Sequence, residues 1–362
     1  MADHASSDDS SSNAHRAVAR SSADALRAEA QRLAFAPLLF QAARLLRDTG
    51  LLAALVDAPA GLAPTVLATS CGLSLYATRV LLEAGLAIGL VESDGTPDGA
   101  YRLTRIGRLV LRDPITRANM DFVHDVCAAG ALGLEEALRD GRPAGLRALG
   151  GDWPTIYDGL SSLSPAARRS WLAFDHLYSD SAFDAAITHL LARGPLGRLL
   201  DVGGNTGRFA LRCLARDPSV RVTTLDLPGQ IAMQPRVPRL ESIPFDLLDH
   251  ARPFPDPFDI VWMSQVVSCF SDDDMVSILR RARSALAPGG RVVVLETYWD
   301  HQTSAAARVS LQASSLYFAA IANGRSKMVH SADLARDAAR AVLSLVDEVR
   351  PLGISHTLQI FR

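Results

Sequence analysis

With 362 residues, 48% of them apolar and 21% charged, the chain has the length of two or three domains and the composition of an ordinary globular protein. Lysine plus arginine total 37 against 39 acids, a net charge of −2, so nothing global favours nucleic acid or an anionic membrane as partner. The cysteines at 71, 127, 213 and 269 stand too far apart for a zinc or redox motif. No apolar run reaches the ~18 residues of a membrane span, so a soluble, metal-free, cytoplasmic protein is expected.

Residues 1–30 form a Ser/Asp/Ala tail too polar to bury, expected to be largely disordered, running into the start of a first helix. Residues 31–115 read as short amphipathic helices. LLFQAARLLRDTGLLAALV is helix, Gly50 turn, helix; PTVLATSCGL and SLYATRVLLEAGLAIGL have the spacing of a helix-turn-helix. GLVESDGTPDGAYRLT then reads as two short strands around a turn, a wing. A winged helix raises the possibility of duplex binding, but between Phe35 and Pro114 seven arginines face seven acids. That face has little to neutralise phosphates with, and a dimerisation module is the better reading.

Residues 116–195 are expected to be a helical connector and substrate-pocket segment whose aromatics, among them Trp153, Tyr157, Trp171, Phe174 and Tyr178, form either interdomain core or pocket lining. From residue 196 to 362 strands and helices alternate. RLLDV, VRVTTLD, FDIVWM and RVVVLE read as strands, NTGRFALRCLARD as a helix, and DDDMVSILRRARSALAPGG as a capped helix ending at Gly289-Gly290. SLVDEVRPL and SHTLQIFR lie too close together for a parallel crossover, so they must pair antiparallel. The fold class is therefore α/β: an open, Rossmann-like parallel sheet closed by an antiparallel C-terminal hairpin, preceded by a mainly α winged-helix domain.

The segment LLDVGGNTGRFAL places a glycine-rich turn between a strand and a helix. Neither the dinucleotide fingerprint nor a phosphate-binding Lys-Ser/Thr loop fits, since positions 205 and 208 are Asn and Arg. The match is to acid-x-Gly-x-x-x-Gly: Asp201, Gly203, Gly207. Asp226 ends the next strand, where an acid accepts hydrogen bonds from ribose hydroxyls. Asp246, in FDLLD, is placed to hold an adenine amino group while Leu247 packs on the ring. Carboxylates without a basic cluster suit a ligand with adenine and ribose but no phosphates, which is S-adenosylmethionine (SAM).

The catalytic half resembles the class I SAM-dependent methyltransferases. With its winged-helix module, nearly the whole chain resembles the plant-type small-molecule O-methyltransferases and their bacterial relatives in pigment and natural-product biosynthesis. DVGGNTG (201–207), LDLPGQI (225–231), FDLLD (245–249), FSDDDMVSILRRARSALAPGGRVVVLE (270–296) and FDHLYSD (174–180) carry the likeness. It implies SAM contacts at Asp201, Gly203, Gly204, Asp226, Asp246 and Leu247, a small-molecule acceptor, and a homodimer whose N-terminal domains interlock and contribute to each other's pockets.

Two positions depart from the pattern. Ser268 stands where the plant-type members have their histidine base, followed by Cys269 and Phe270 in place of Asp and Trp. Ser264 stands where a SAM-contacting lysine is common. Alignment of an in-line displacement supplies much of the barrier lowering, so methyl transfer survives the loss of that histidine. Glu296, at the end of the strand VVVLE, is the replacement base that the sequence offers; His176, Tyr178 and His301 are weaker ones, and His124 is a candidate to line the acceptor pocket. Transfer to carbon, or a SAM-binding protein that does not methylate, are the alternatives to transfer to oxygen.

Overall fold

The computed structural model describes residues 23–362 apart from Pro97 and Asp256, so most of the expected tail lies outside the described residues. Residues 23–34 are helical. The chain divides into two units at residues 120/121, so the connector segment belongs with the second from residue 121 onward.

In the first unit the helix Ala36–Asp48 is stopped by Gly50, whose φ of 85° a side-chain-bearing residue adopts only with strain. Helices Pro64–Cys71 and Leu75–Ala87 follow, the second capped by Ser74, whose hydroxyl accepts from Ala77 N at 3.1 Å. The wing is β1 (Val91–Ser93) paired antiparallel with β2 (Tyr101–Leu103). Leu46, Leu51, Leu52, Leu67 and Leu82 are fully buried together and hold the helices to the wing. Thr104 ties the helix Arg105–Arg112 to the wing, donating its hydroxyl to Gly89 O at 2.6 Å. No single helix among the described residues is long and apolar enough to cross a membrane.

The second unit is built on one sheet. Its strands are β3 (Arg198–Val202), β4 (Arg221–Asp226), β5 (Leu240–Pro244), β6 (Phe258–Ser264), β7 (Leu286–Glu296), β8 (Leu345–Leu352) and β9 (His356–Phe361). Their order is β5-β4-β3-β6-β7-β9-β8, with β9 antiparallel to both neighbours and the rest parallel. The chain runs outward from β3 to β5 and then returns to β6. The switch point therefore falls between β3 and β6, and the crevice at their carboxyl ends is where such sheets take ligands.

Period-two alternation puts opposite faces of these strands in separate cores. Leu200, Val202, Met263, Val292 and Val294 pack beneath Met275, Ile278 and Leu279 of the helix Asp272–Ser284. Leu199, Trp262, Val293 and Leu295 face Phe183 and Phe209 on the other side. Phe209, on the helix Arg208–Arg216, lies flat on Trp262 with centroids 3.8 Å apart and planes 5° from parallel.

One boundary differs from expectation. The helix of DDDMVSILRRARSALAPGG ends at Ser284, and LAPGG is already strand, entering β7 through an irregular register opposite Phe258. Gly290 permits this because a Cβ there would sit 2.9 Å from the Phe258 carbonyl oxygen. Gly290 thus marks a close strand approach, and Gly289 beside it a left-handed turn (φ 82°) with open space around it, not a helix end.

Phe209→Ala should leave a void against Trp262 and destabilise the second unit by about 3–5 kcal/mol. Urea unfolding followed by tryptophan fluorescence measures this, and a loss below about 1 kcal/mol would contradict the packing argument.

Candidate active site

Three carboxyl ends of the sheet meet at one loop. After β3 the chain turns at Gly203 (φ 74°), Asn205 (φ 47°) and Gly207 (φ 79°) before entering the helix Arg208–Arg216. A Cβ at Gly203 would lie 2.7 Å from Val266 Cγ2, so that position is closed on steric as well as conformational grounds. Asn is the side chain that best tolerates the left-handed region, and Asn205 is held from three directions. Its N–H donates to Asp226 Oδ2 at 2.7 Å, its carbonyl accepts from Gln234 Nε2 at 2.7 Å, and its Nδ2 donates to Asp175 Oδ2 at 3.0 Å. Gln234 also accepts from Thr224 and Ser242 hydroxyls at 2.6 and 2.7 Å, which fixes its own orientation.

The loop opens on a cavity of about 690 Å³, within the size range of small-molecule sites. Asp201, Gly203, Gly204, Asp226, Asp246, Leu247 and Ser264 all line it. Asp201 is 2% exposed, and its Oδ2 has no hydrogen-bond partner among the described residues. Burial, reinforced by Asp226, lifts its carboxyl to about 8. Burial also raises Asp226, to about 6, although the amides of Asn205 and Leu227, both 2.7 Å away, favour its charged form. Asp246 accepts from Leu248 N at 2.8 Å, which shapes the turn presenting Leu247. Arg281 pins that turn from behind by donating to the Leu247 and Asp249 carbonyls. The Ser264 hydroxyl is buried and unpartnered among the described residues.

The other half of the cavity is aromatic. Tyr157, Trp171, Phe174, Tyr317 and Phe318 line it, with Trp171 Nε1 donating to Tyr317 Oη at 2.8 Å. Ser268 and Cys269 reach it from the short turn Val267–Cys269 after β6. Burial pushes the Cys269 thiol up to about 12, so no thiolate is available there.

Glu296 ends β7 with no exposed surface, and Thr297 and Ser268, not Glu296 itself, form the cavity wall in front of it. Its Oε1 accepts from Thr297 N at 2.8 Å, while the nearby amides of Val267 and Ser268 favour its charged form. Burial outweighs these and raises the carboxyl to about 7. Of the weaker candidates, His176 and Tyr178 line the cavity and His301 does not; His124, expected at the acceptor pocket, does not line it either. His176 has Nε2 3.3 Å from Thr206 Oγ1 and Nδ1 3.0 Å from Arg208 Nη1. Lys327 pairs with Asp333 at 3.0 Å.

Sequence reasoning singled out neither Asp175 nor Asn205. Asp175 belongs to FDHLYSD on the helix Pro165–Leu191, and only the fold brings that helix against the glycine loop. The signal available was the helical spacing of Trp171, Phe174, Asp175 and Tyr178, which places an acid on an otherwise aromatic stripe. Asp175, Asp201 and Asp226 have no ion-pair partner among the described residues, so the cofactor half holds buried carboxyls whose charged forms lack a cation. That fits a cationic adenosyl compound such as SAM. No cluster of ligating side chains suited to a metal ion occurs among the described residues.

The family described as O-methyltransferase domain matches residues 176–338, and a dimerisation2-like domain matches residues 27–96. The chain is 30% identical over 269 residues to 3-amino-4-hydroxybenzoate 4-O-methyltransferase of Streptomyces cremeus, covering 71% of this chain and 69% of the relative. It is also 30% identical over 277 residues to aclacinomycin 10-hydroxylase RdmB of Streptomyces purpurascens, covering 72% and 69%. Among solved structures, mitomycin 7-O-methyltransferase MmcR superposes with a TM-score of 0.68 at 20% identity, over 96% of this chain and 99% of that one.

Asp201, Asp175 and Glu296 are all raised above their unfolded values, so each contributes stability at low pH that is lost as pH rises through about 7 to 8. The buried His356, lowered to about 4, loses its contribution only below pH 6.5. Between pH 8 and 6.5 the ligand-free protein should therefore gain in melting temperature on acidification. Asp201→Asn should flatten that gain; an unchanged slope in calorimetric scans would refute the burial account.

Proposed function

Because the chain belongs to the O-methyltransferase family and shares its SAM dependence, we propose that it methylates a hydroxyl oxygen of a planar aromatic small molecule, working as a homodimer. The single observation that carries the reading is one cavity with two chemistries, carboxylates around a glycine loop at one end and aromatic rings at the other. SAM supplies an electrophilic methyl group on a sulfonium, which an aligned nucleophile displaces in line. Asp226 offers acceptors for ribose hydroxyls, Asp246 and Leu247 offer an edge and a face for adenine, and Asp201, Gly203 and Gly204 bring acceptor and backbone close to the amino-acid end. Ser264 offers a further hydrogen bond in the place where a lysine is common. Trp171, Phe174 and Tyr317 hold a planar acceptor by stacking and edge contacts.

Homodimerisation is supported by the apolar side chains that the first unit leaves exposed, among them Leu33, Leu38, Tyr76 and Ile106 at 78%, 69%, 79% and 55%. A second reading is favoured by the turn Val267–Cys269, which carries no group able to accept a proton near neutrality. Transfer to an activated carbon needs less base assistance there. The hydroxylase among the relatives likewise keeps chemistry other than methylation open to this scaffold.

Titration calorimetry with SAM, with NAD as control, should give micromolar SAM binding and none for NAD. Asp226→Ala should weaken SAM by roughly 1–3 kcal/mol through unpaired ribose hydroxyls; unchanged affinity would remove that residue from the site. Mass spectrometry of products from a panel of phenols then separates the readings. One added methyl with S-adenosylhomocysteine (SAH) means methyl transfer, and fragmentation tells oxygen from carbon. One added oxygen without a methyl would overturn it.

A further inference from the structure

Asp175 is where the two halves of the cavity meet. One of its oxygens is tied to the glycine loop through Asn205 Nδ2, and its charge is felt by Tyr157, Cys269 and Tyr317 on the aromatic side. Its other oxygen has no hydrogen-bond partner among the described residues, and the side chain lines the cavity. The groups facing it come from every neighbouring element: Asp180 and His176 of its own helix, Arg208 after the loop, Asp226 from β4, and the Tyr157, Cys269 and Tyr317 side chains. Arg208, the one cation among these, is committed to Asp180 at 2.5 Å. Asp201, almost sealed and with an unpartnered oxygen, adds a further carboxyl to the same floor. A pocket so built needs either protons or a cationic guest. SAM carries one positive charge more than SAH, and that charge is on the sulfur.

We propose, on the reading above, that Asp175 is the residue by which the site tells SAM from SAH: it gives up its proton as counter-ion to the sulfonium and holds a proton when the sulfur is neutral. Burial holds its carboxyl at about 7, so the exchange falls in the physiological range. During transfer the acceptor oxygen forms its new bond to the methyl carbon, the sulfur–methyl pair of electrons returns to sulfur, and the acceptor's proton goes to Asp175. One cation and one carboxylate become a neutral thioether and a carboxylic acid, so no net charge is stranded in the cavity. The neutral product pair then meets an uncharged Asp175. SAH is thereby held less tightly than SAM, which eases product release.

The test requires no knowledge of the acceptor. The full chain is titrated with SAM and with SAH at pH 6.5, in buffers of different ionisation heat, to count protons exchanged on binding. SAM should release about one proton more than SAH, the linkage expected of one carboxyl changing state. Asp175→Asn keeps the shape and can still accept from Asn205; it should lose at least half of that difference and shift the SAM-to-SAH affinity ratio about tenfold toward SAH. Asn205→Gly keeps the left-handed backbone but removes the amide that favours the charged form. It should retain the proton difference and move its midpoint upward in pH, an effect that a packing role for Asp175 does not produce. Equal proton counts for SAM and SAH in the natural protein, or an undiminished difference in Asp175→Asn, would overturn the inference while leaving SAM binding intact. Failure to bind SAM at all would instead overturn the methyltransferase reading and the inference with it.

Discussion

The site depends on the electrostatic cost of keeping carboxyl groups out of water without an ion-pair partner of their own. Asp201, Asp226 and Asp175 are desolvated by the sheet, the glycine loop and the long helix Pro165–Leu191, and each is raised as a result. Arg208 lines the cavity but is committed to Asp180, so these carboxyls are left without an ion-pair partner of their own and keep their preference for a cationic guest. Gly203 leaves no room beside Val266, and the left-handed turn at 205 takes an amide that bonds a carboxyl without neutralising it.

The rest of the second unit serves that arrangement. The reversal between β3 and β6 opens the crevice. The opposed cores, one on Met275 and Ile278, the other on Phe209 and Trp262, keep the strand ends from drifting. The hairpin of β8 and β9 covers what would otherwise be the free edge of β7. The aromatic half is assembled differently, from Trp171 and Phe174 on the long helix, Tyr317 and Phe318 further along the chain, and the turn at Ser268.

Much of this was legible in the sequence. Strand and helix alternation, the wing, the antiparallel end and the glycine loop with its acids at 201, 226 and 246 all follow from local periodicity and spacing. The end of the helix before β7 did not, because Gly289-Gly290 has the same appearance whether glycine stops a helix or permits a close strand contact. Asp175 was hidden for a deeper reason. Its importance comes from a contact with Asn205 thirty residues away, and single-sequence patterns report faces of elements, not which faces meet. Glu296 illustrates the converse, since a strand-end acid is easy to find while its placement behind Thr297 and Ser268 is a matter of side-chain direction.

Gln234 has a mechanical consequence. One amide group holds a hydroxyl of β4, a hydroxyl of β5 and the backbone carbonyl of Asn205, so it acts as a strut between the sheet's outer edge and the ligand loop. An outward displacement of β5 cannot leave the loop behind without breaking buried hydrogen bonds, and a loop pulled inward by its ligand draws on the edge strand in turn. The ligand loop and the outermost parallel strand of the sheet are thus coupled through a single amide group.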